Sequence, residues 1–231
     1  MSSLAREILL IIVLEIIVVA ATIRPSTRTY RFYNSDFGRI SLTLPFDLET
    51  VHHSPLIEPG WIDAHQDRRT QYEKMVVELH DRGHFRTSFA YQILTDQLPK
   101  DVSDEQFTEV LLDFVQSLPY RNIPITYRQQ TTHDILPPLI ALYEQYGDCD
   151  TKSLLFAALA THRHPVLYLM GPTHVFIGLP RVPQEGETYV TIHGRSWVLC
   201  ELTGKWGVGC IPENLKSDFK KGDFRYLILA A

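Results

Sequence analysis

The chain has 231 residues, of which 45% are hydrophobic and 21% charged, a composition typical of a globular protein with one main core. Its formal net charge is −5, and no run of Lys and Arg could neutralise successive phosphates, so we exclude nucleic acid as a partner. Three cysteines are too few for a disulfide scaffold and lack the CxxC spacing of a zinc site. Cys200 and Cys210 either form one disulfide or lie half buried in strands.

The N-terminal residues 1–23 differ in kind from the rest of the chain. The apolar run 4–23 is interrupted by four polar residues, Arg6, Glu7, Glu15 and Thr22. About 20 helical residues with a rise of roughly 1.5 Å each span about 30 Å, which is the thickness of a bilayer core. The pattern therefore predicts an N-terminal hydrophobic helix that acts as a single-pass membrane anchor or as a signal peptide.

The flanks of this segment give conflicting signals about the side of the membrane. The small residues at 19–21 suit a signal peptidase, which implies export. Arg24, Arg28 and Arg31 follow the segment whereas Arg6 precedes it, so the positive-inside rule does not favour export. We expect a membrane-associated protein and favour the extracytoplasmic side. A buried N-terminal helix of a soluble protein is the alternative.

The next part of the chain, residues 24–102, is predicted to form strands and covering helices. Apolar and polar residues alternate over 30–32 and 40–46, which predicts one or two half-buried strands. The stretch 49–59, with two histidines and two prolines, is predicted to be a loop. Residues 67–82 carry an apolar stripe at helical spacing, which predicts a helix that covers the core.

The last part, residues 103–231, completes one compact domain that we expect to cover 24–231. Ser103 begins an S-x-x-Q capping box, and apolar residues then recur at helical spacing as far as Leu118. Prolines break the chain over 117–139 into a long connection of the kind that is functional or mobile. Five later segments have the pattern of strands: 166–170, 174–179, 189–192, 196–202 and 224–229. Helices followed by an antiparallel sheet define an α+β fold.

Cys149 stands directly after Gly147 and Asp148, at the start of an apolar helical stretch. The unpaired amides and the positive dipole end of a helix favour a thiolate, and a nearby histidine favours it further. This position predicts a thiol pKa well below the roughly 8.5 of a free cysteine. A small, buried, structural cysteine is the alternative for this segment taken alone.

His174 and Glu201 lie on later strands and add the other groups of a catalytic site. His174 begins an apolar strand after a Gly-Pro-Thr turn, so its ring can project over the start of the helix that carries Cys149. Taken singly, such a histidine is a polar residue at a strand edge. Glu201 is a charged residue within an apolar strand, and a buried carboxylate needs a partner such as His174. The three residues predict a nucleophile, its base and the group that orients the base.

These motifs resemble those of the bacterial transglutaminase-like cysteine proteinase group within the transglutaminase-like superfamily. The segment GDCDTKSLLFAAL matches the cysteine motif at Cys149, and the two strands match the family's histidine at His174 and its acid at Glu201. The acid is usually aspartate in the superfamily. With the helix end at 114–120, the resemblance covers roughly residues 103–209. It implies a papain-like, transglutaminase-like catalytic core in 103–231, with no metal or other cofactor.

The resemblance further implies a thiol-dependent amide or acyl hydrolase or acyltransferase that works through an acyl-enzyme on peptide or protein amides. A non-catalytic transglutaminase-like module in a membrane-associated complex is the alternative. A metal site formed by Cys149, His174 and a carboxylate is a third possibility. The family's oxyanion hole uses the cysteine amide and an upstream side chain, for which Gln145, Gln130 and Tyr127 are equal candidates here.

Overall fold

The computed structural model describes residues 26–54, 56, 67–220 and 224–231, and this part of the chain has the predicted α+β class. The helices are α1 (Leu48–His52), α2 (Arg68–Arg86), α3 (Ser88–Asp96), α4 (Asp104–Ser117), α5 (Pro138–Glu144), α6 (Cys149–Ala160) and α7 (Glu213–Lys220). The strands are β1 (Ser26–Asn34), β2 (Gly38–Phe46), β3 (Thr126–Tyr127), β4 (Gln130–Thr131), β5 (Val166–Met170), β6 (Val175–Leu179), β7 (Tyr189–Ile192), β8 (Arg195–Cys200) and β9 (Arg225–Leu229).

The first two strands confirm the alternating pattern at the start of the described chain. β1 and β2 pair antiparallel as a hairpin, and every second side chain of its central part is buried. The rings of Tyr30 and Phe32 pack on Phe114 of α4, with centroid distances of 5.2 and 5.5 Å. The period of two along each strand therefore places one apolar face of the hairpin on a helix.

Helix α4 begins as its sequence predicts. The Ser103 side chain accepts a hydrogen bond from the Gln106 amide at 3.1 Å, and the Gln106 side chain accepts one from the Ser103 amide at 3.2 Å. These reciprocal bonds satisfy two amides that lack partners within the helix. The apolar stripe behind the cap is buried, so α4 becomes a wall of the core against which α6 packs.

The main sheet has the strand order β7-β8-β6-β5-β9, and all its neighbours are antiparallel. Helix α6 packs on β5 and β6 and is buried from residue 151 to residue 160, because α2, α4 and α5 cover its other sides. A second, smaller apolar cluster around Trp197 fills the opposite face of the sheet. Both faces of the sheet are therefore covered by apolar side chains, and α6 lies at the centre of the described structure.

The helices around α6 approach one another closely at a glycine. A Cβ atom at Gly83 of α2 would lie 2.4 Å from Cγ of Pro138 in α5, a distance that real Cβ atoms do not show. Glycine is therefore required where these two helices meet. The larger of the two apolar clusters includes buried residues on both sides of the predicted division between residues 102 and 103, and that division stays a prediction.

Several sequence predictions need correction. The stretch 49–59 was expected to be a loop, but α1 forms there because the Asp47 side chain caps the amides of Glu49 and Thr50. The sequence patterns also missed α3, α5 and α7, which are short helices of seven to nine residues. Short helices carry few turns of apolar periodicity, so their pattern is weak. The strand predicted over 196–202 ends at Cys200.

The structure also decides the state of the three cysteines. Cys149, Cys200 and Cys210 are all free thiols, with Cys200 buried in β8 and Cys210 exposed, so neither the disulfide nor a pair of half-buried strand cysteines is observed. The hydrophobic segment predicted over 4–23 lies outside the described residues. Among the helices that are described, none has the length and hydrophobicity needed to cross a membrane.

Candidate active site

Cys149 is the first residue of α6, as its sequence predicts. Asp148 caps the helix by accepting a hydrogen bond from the Thr151 amide at 3.0 Å. A Cβ atom at Gly147 would lie 2.9 Å from Thr151 Cγ2 and 3.1 Å from Lys152 Cγ, so a glycine lets the chain turn tightly into the helix. The half-buried Cys149 therefore presents its backbone amide and its thiol at the N-terminal end of a rigid, buried helix.

The sulfur of Cys149 has two polar neighbours. It donates a hydrogen bond to Asp150 Oδ1 at 3.2 Å, and the Val175 backbone amide lies close enough to lower the pKa of the thiol. The other carboxylate oxygen of Asp150 accepts a hydrogen bond from the Tyr72 hydroxyl at 2.7 Å, which anchors Asp150 to α2. Because Val175 follows His174 directly, the influence of its amide indicates that the sulfur lies near the strand end that carries the histidine.

The surroundings of Cys149 raise the pKa of its thiol, whereas the helix start alone predicts a lowered pKa. Burial raises the pKa of Cys149 well above its ordinary value, and the charge of Asp150 and its hydrogen bond raise it further. The Val175 amide opposes this rise but does not cancel it. The expectation of a lowered thiol pKa is therefore wrong for this geometry, because burial and a neighbouring carboxylate outweigh the amides of the helix start.

His174 lies at the point where a tight hairpin enters β6. The Gly171 amide donates a hydrogen bond to the His174 carbonyl at 2.8 Å, which closes the connection between β5 and β6. The imidazole packs edge-on against Phe176, with a centroid distance of 4.7 Å, and its Nε2 atom lies 2.8 Å from Oε1 of Glu201. With Nε2–H donating to Glu201, the neutral ring carries its free lone pair on Nδ1.

Glu201 lies one residue beyond the end of β8, and its side chain is only 1% exposed. Besides the bond from His174, the carboxylate accepts hydrogen bonds from the Thr203 amide and hydroxyl and from the Gly204 amide, at 2.8, 2.5 and 2.8 Å. Burial alone would raise the pKa of Glu201, but these hydrogen bonds outweigh it and lower the pKa. Glu201 is therefore held as a carboxylate that fixes one edge of the imidazole.

One open cleft of about 590 Å³ contains both Cys149 and His174 in its lining. Three aspartates and three arginines also line it: Asp134, Asp148, Asp150, Arg68, Arg69 and Arg225. The cleft therefore brings a thiol and an oriented imidazole to one solvent-accessible space. Such a space is large enough for a segment of peptide or a small acyl group.

The three side chains considered as oxyanion donors lie elsewhere. Gln145, Gln130 and Tyr127 each form a hydrogen bond with a residue outside the cleft. None of the three belongs to the cleft lining within the described part of the chain.

Tyr120 is a further polar residue near the thiol that the sequence patterns did not single out. It forms a parallel β-bridge with Gly147, two residues before Cys149, and 52% of its surface is exposed. Burial raises the pKa of its hydroxyl, and the charges of Cys149 and Asp148 add to this rise. Among the described residues, none is hydrogen-bonded to this hydroxyl. Its signal in the sequence is its place at the end of the segment 114–120, which belongs to the transglutaminase-like resemblance.

Comparisons with other proteins add no relative to this description. No protein-family model, no curated protein and no solved structure matches the chain. The transglutaminase-like resemblance therefore depends on the cysteine, histidine and acid motifs themselves. In residues 26–54, 56, 67–220 and 224–231, no group of three or more His, Cys, Asp and Glu side chains is arranged to hold a metal ion.

Proposed function

We propose that this chain carries a papain-like, transglutaminase-type active site with Cys149 as nucleophile, His174 as base and Glu201 as the group that orients the histidine. The observation that carries the proposal is the 2.8 Å hydrogen bond between His174 Nε2 and the buried carboxylate of Glu201. That bond holds an imidazole at the lining of the cleft that also contains Cys149. A thiol at a helix start and an oriented imidazole in the same cleft are the two groups that acyl transfer by cysteine requires, although the thiol is hydrogen-bonded to Asp150 at rest.

The reaction begins with transfer of the thiol proton to Nδ1 of His174. The thiolate of Cys149 then attacks the carbonyl carbon of an amide, and the carbonyl π electrons move to oxygen. When the tetrahedral intermediate collapses, the C–N bond breaks and the imidazolium of His174 gives its proton to the leaving amine. Water or a second amine then attacks the thioester carbonyl, His174 accepts the proton of the attacking group, and the C–S bond breaks so that Cys149 leaves as a thiolate that regains its proton from His174. Attack by water is hydrolysis, and attack by an amine is acyl transfer.

The Cys149 backbone amide and the Tyr120 hydroxyl are the proposed donors to the developing oxyanion. The amide belongs to the first turn of α6, whose amides lack partners within the helix. The Tyr120 hydroxyl forms no hydrogen bond with the described residues and lies within electrostatic range of the thiol, although Tyr120 is not among the residues that line the cleft. Hydrogen-bond donors at the developing oxyanion stabilise a tetrahedral intermediate more than they stabilise the planar substrate.

The substrate class that we propose is a peptide or protein amide, because the cleft is open to solvent rather than closed around a small molecule. We also propose that residues 4–23 attach the protein to a membrane as an anchor or signal peptide, and we favour the extracytoplasmic side. The hydropathy of that segment is its support.

Acylation by p-nitrophenyl acetate tests the assignment without knowledge of the natural substrate. We expect the acetyl group on Cys149, detected by peptide mass mapping, and a loss of at least about 100-fold in its rate in His174→Ala. The exposed Cys210 provides an internal control, because it is an ordinary surface thiol in the same molecule. Acetylation of Cys210 at the same rate as Cys149, or a rate that does not depend on His174, would refute catalysis.

The non-catalytic module is the second candidate, and one observation favours it. The hydrogen bond from the Cys149 thiol to Asp150 and the raised thiol pKa describe a nucleophile that is protonated at rest. A catalytic cysteine in this state needs His174 to remove its proton during the reaction, whereas a structural cysteine needs no base. The dependence of acetylation on His174 therefore separates the two candidates.

A further inference from the structure

Lys152 is a buried cation beneath the proposed triad, and the mechanism described above does not use it. It lies on α6, one turn after Cys149, and only 1% of it is exposed. Its Nζ atom donates hydrogen bonds to the carbonyl oxygens of Leu118 at 2.9 Å and Gln116 at 3.4 Å. A lysine is rarely buried to this degree, because removing an ammonium group from water is costly unless it finds partners.

Those carbonyls belong to the C-terminal end of α4. The last carbonyls of a helix lack partners within the helix and carry the negative end of its dipole, so a cation stabilises them. The same helix end carries the Gln116 side chain, whose Nε2 atom donates to the carbonyl oxygens of Glu201 and Trp206, both at 2.8 Å. Lys152 therefore fixes the helix end that holds the backbone of the triad acid.

The charge of Lys152 also acts on the triad acid. Burial lowers the pKa of Lys152 to about 8, and the Glu201 carboxylate opposes this shift by stabilising the ammonium group. No ion pair joins the two side chains in the described part of the chain, so this attraction acts through space. Charges in a protein interior interact over longer distances than exposed charges, because less solvent screens them.

The groups that titrate around Glu201 come from several elements. His174 donates to its carboxylate from the entry of β6, and the charge of Lys152 acts on it from α6. Cys149 and Asp150 lie at the start of α6, and Tyr120 follows the end of α4. Lys152 is the cation that interacts with the buried acid from within the core. The positive charge of Lys152 disfavours a second positive charge on His174, because both cations would lie near the same carboxylate.

We propose that Lys152 is a positioning residue of the triad, which keeps Glu201 paired with a neutral His174 by supplying a buried positive charge and by fixing the Gln116 support of its backbone. The proposal rests on the proposed function, since it assigns Lys152 to the same site. Lys152 touches none of the reacting atoms, so it acts through Glu201 and His174.

The variant Lys152→Met tests this role, because methionine has a similar length and no charge. Without the buried cation, we expect the titration midpoint of the His174 ring, followed by NMR, to rise by roughly 0.5–1 pH unit. We also expect acetylation of Cys149 at pH 6 to fall about 3- to 10-fold, because more of the imidazole is protonated. Lys100→Met is the matched control, since Lys100 is exposed and lies outside the cleft.

A role in packing alone would change the melting temperature and leave the His174 midpoint where it is, and this result would overturn the proposal. The NMR titration also separates the two hypotheses. A shifted midpoint with an unreactive Cys149 would support the coupling and refute the proposed function. An unshifted midpoint with a reactive Cys149 would refute the coupling alone.

The wild-type protein provides a second test if Lys152→Met does not fold. As Lys152 loses its proton near pH 8, the ring resonances of His174 should show a second inflection at the pH where the Lys152 Cε resonance titrates. The Lys100→Met protein should retain that inflection. If the His174 resonances do not respond while Lys152 titrates, the proposal is wrong.

Discussion

The Cys149 thiol donates a hydrogen bond across 3.2 Å to the carboxylate of Asp150, the next residue in the chain. Tyr72 of α2 holds the second oxygen of that carboxylate at 2.7 Å, so Asp150 cannot turn away freely. The thiol therefore rests in its protonated form between an acid and the Val175 amide. Under the proposed function, attack on a substrate requires the sulfur to exchange the Asp150 contact for His174.

Asp150→Asn should make Cys149 more reactive at neutral pH. Burial is the main cause of its raised thiol pKa and would remain, but the charge of Asp150 would be removed. We expect the pH profile of iodoacetamide alkylation at Cys149 to move down by about one unit, and the rate at pH 8 to rise several-fold.

Asp134→Asn is the control for this change, because Asp134 also lines the cleft but is exposed and does not contact the thiol. Peptide mass mapping distinguishes Cys149 from Cys210 in each reaction. A profile that Asp150→Asn leaves unchanged would show that the carboxylate does not control the thiol.

Glu201→Gln should destabilise the protein as well as weaken the hold on His174. The buried carboxylate accepts hydrogen bonds from Thr203 and Gly204, and a glutamine amide would oppose one of these donors with its own N–H group. We expect the free energy of unfolding at pH 7 to fall by about 1–3 kcal/mol in urea titrations. Glu185→Gln is the control, since Glu185 is exposed.

The loss of stability in Glu201→Gln should itself depend on pH. Because the folded protein lowers the pKa of Glu201 below its ordinary 4.5, the carboxylate contributes stability above that pH. This contribution is lost as the pH falls through the folded pKa. The difference in stability between the wild type and Glu201→Gln should therefore narrow below about pH 4.5. A constant difference down to pH 3 would contradict the assignment.

Tyr120→Phe removes the proposed second oxyanion donor and leaves the ring in place. We expect the rate of Cys149 acetylation by p-nitrophenyl acetate to fall about 10- to 100-fold. Stability should change by less than about 0.5 kcal/mol, because the hydroxyl forms no hydrogen bond with the described residues. Tyr33→Phe changes a tyrosine that is 66% exposed and should leave the rate unchanged. Equal rates in the Tyr120→Phe protein and the wild type would exclude the hydroxyl as a donor.

Lys152 should give the wild type a rise in stability at alkaline pH. Folding lowers its pKa from 10.5 to about 8, so between these values the unfolded chain binds more protons than the folded chain. The free energy of unfolding therefore gains up to about 3 kcal/mol from this group as the pH rises across that range. Urea titrations of the wild type and Lys152→Met at pH 7.5 and pH 10 measure this gain. If the free energy of unfolding changes equally in the two proteins between these pH values, Lys152 is not responsible.

Much of the local structure follows from short-range patterns. The capping box at Ser103, the alternation along β1 and β2, and the helix start at Cys149 depend on residues within a few positions of each other. For the same reason the sequence placed His174 at a strand entry, whereas it placed Glu201 within a strand that in the structure ends one residue earlier, at Cys200. Hydrophobic period and backbone capping are sufficient to specify these elements.

The chemical state of the candidate site required the tertiary structure. Tyr72 lies 78 residues before Asp150, and the Lys152 ammonium group bonds to carbonyls more than 30 residues before it. No local pattern specifies such contacts, because they form only when α2, α4 and α6 dock around one core. Burial and the charges of neighbouring residues set the acidity of Cys149 and Lys152, and hydrogen bonds from His174, Thr203 and Gly204 outweigh burial at Glu201. The amino-acid sequence by itself identified which residues could react, while the packing of distant elements decided which of them carry protons at rest.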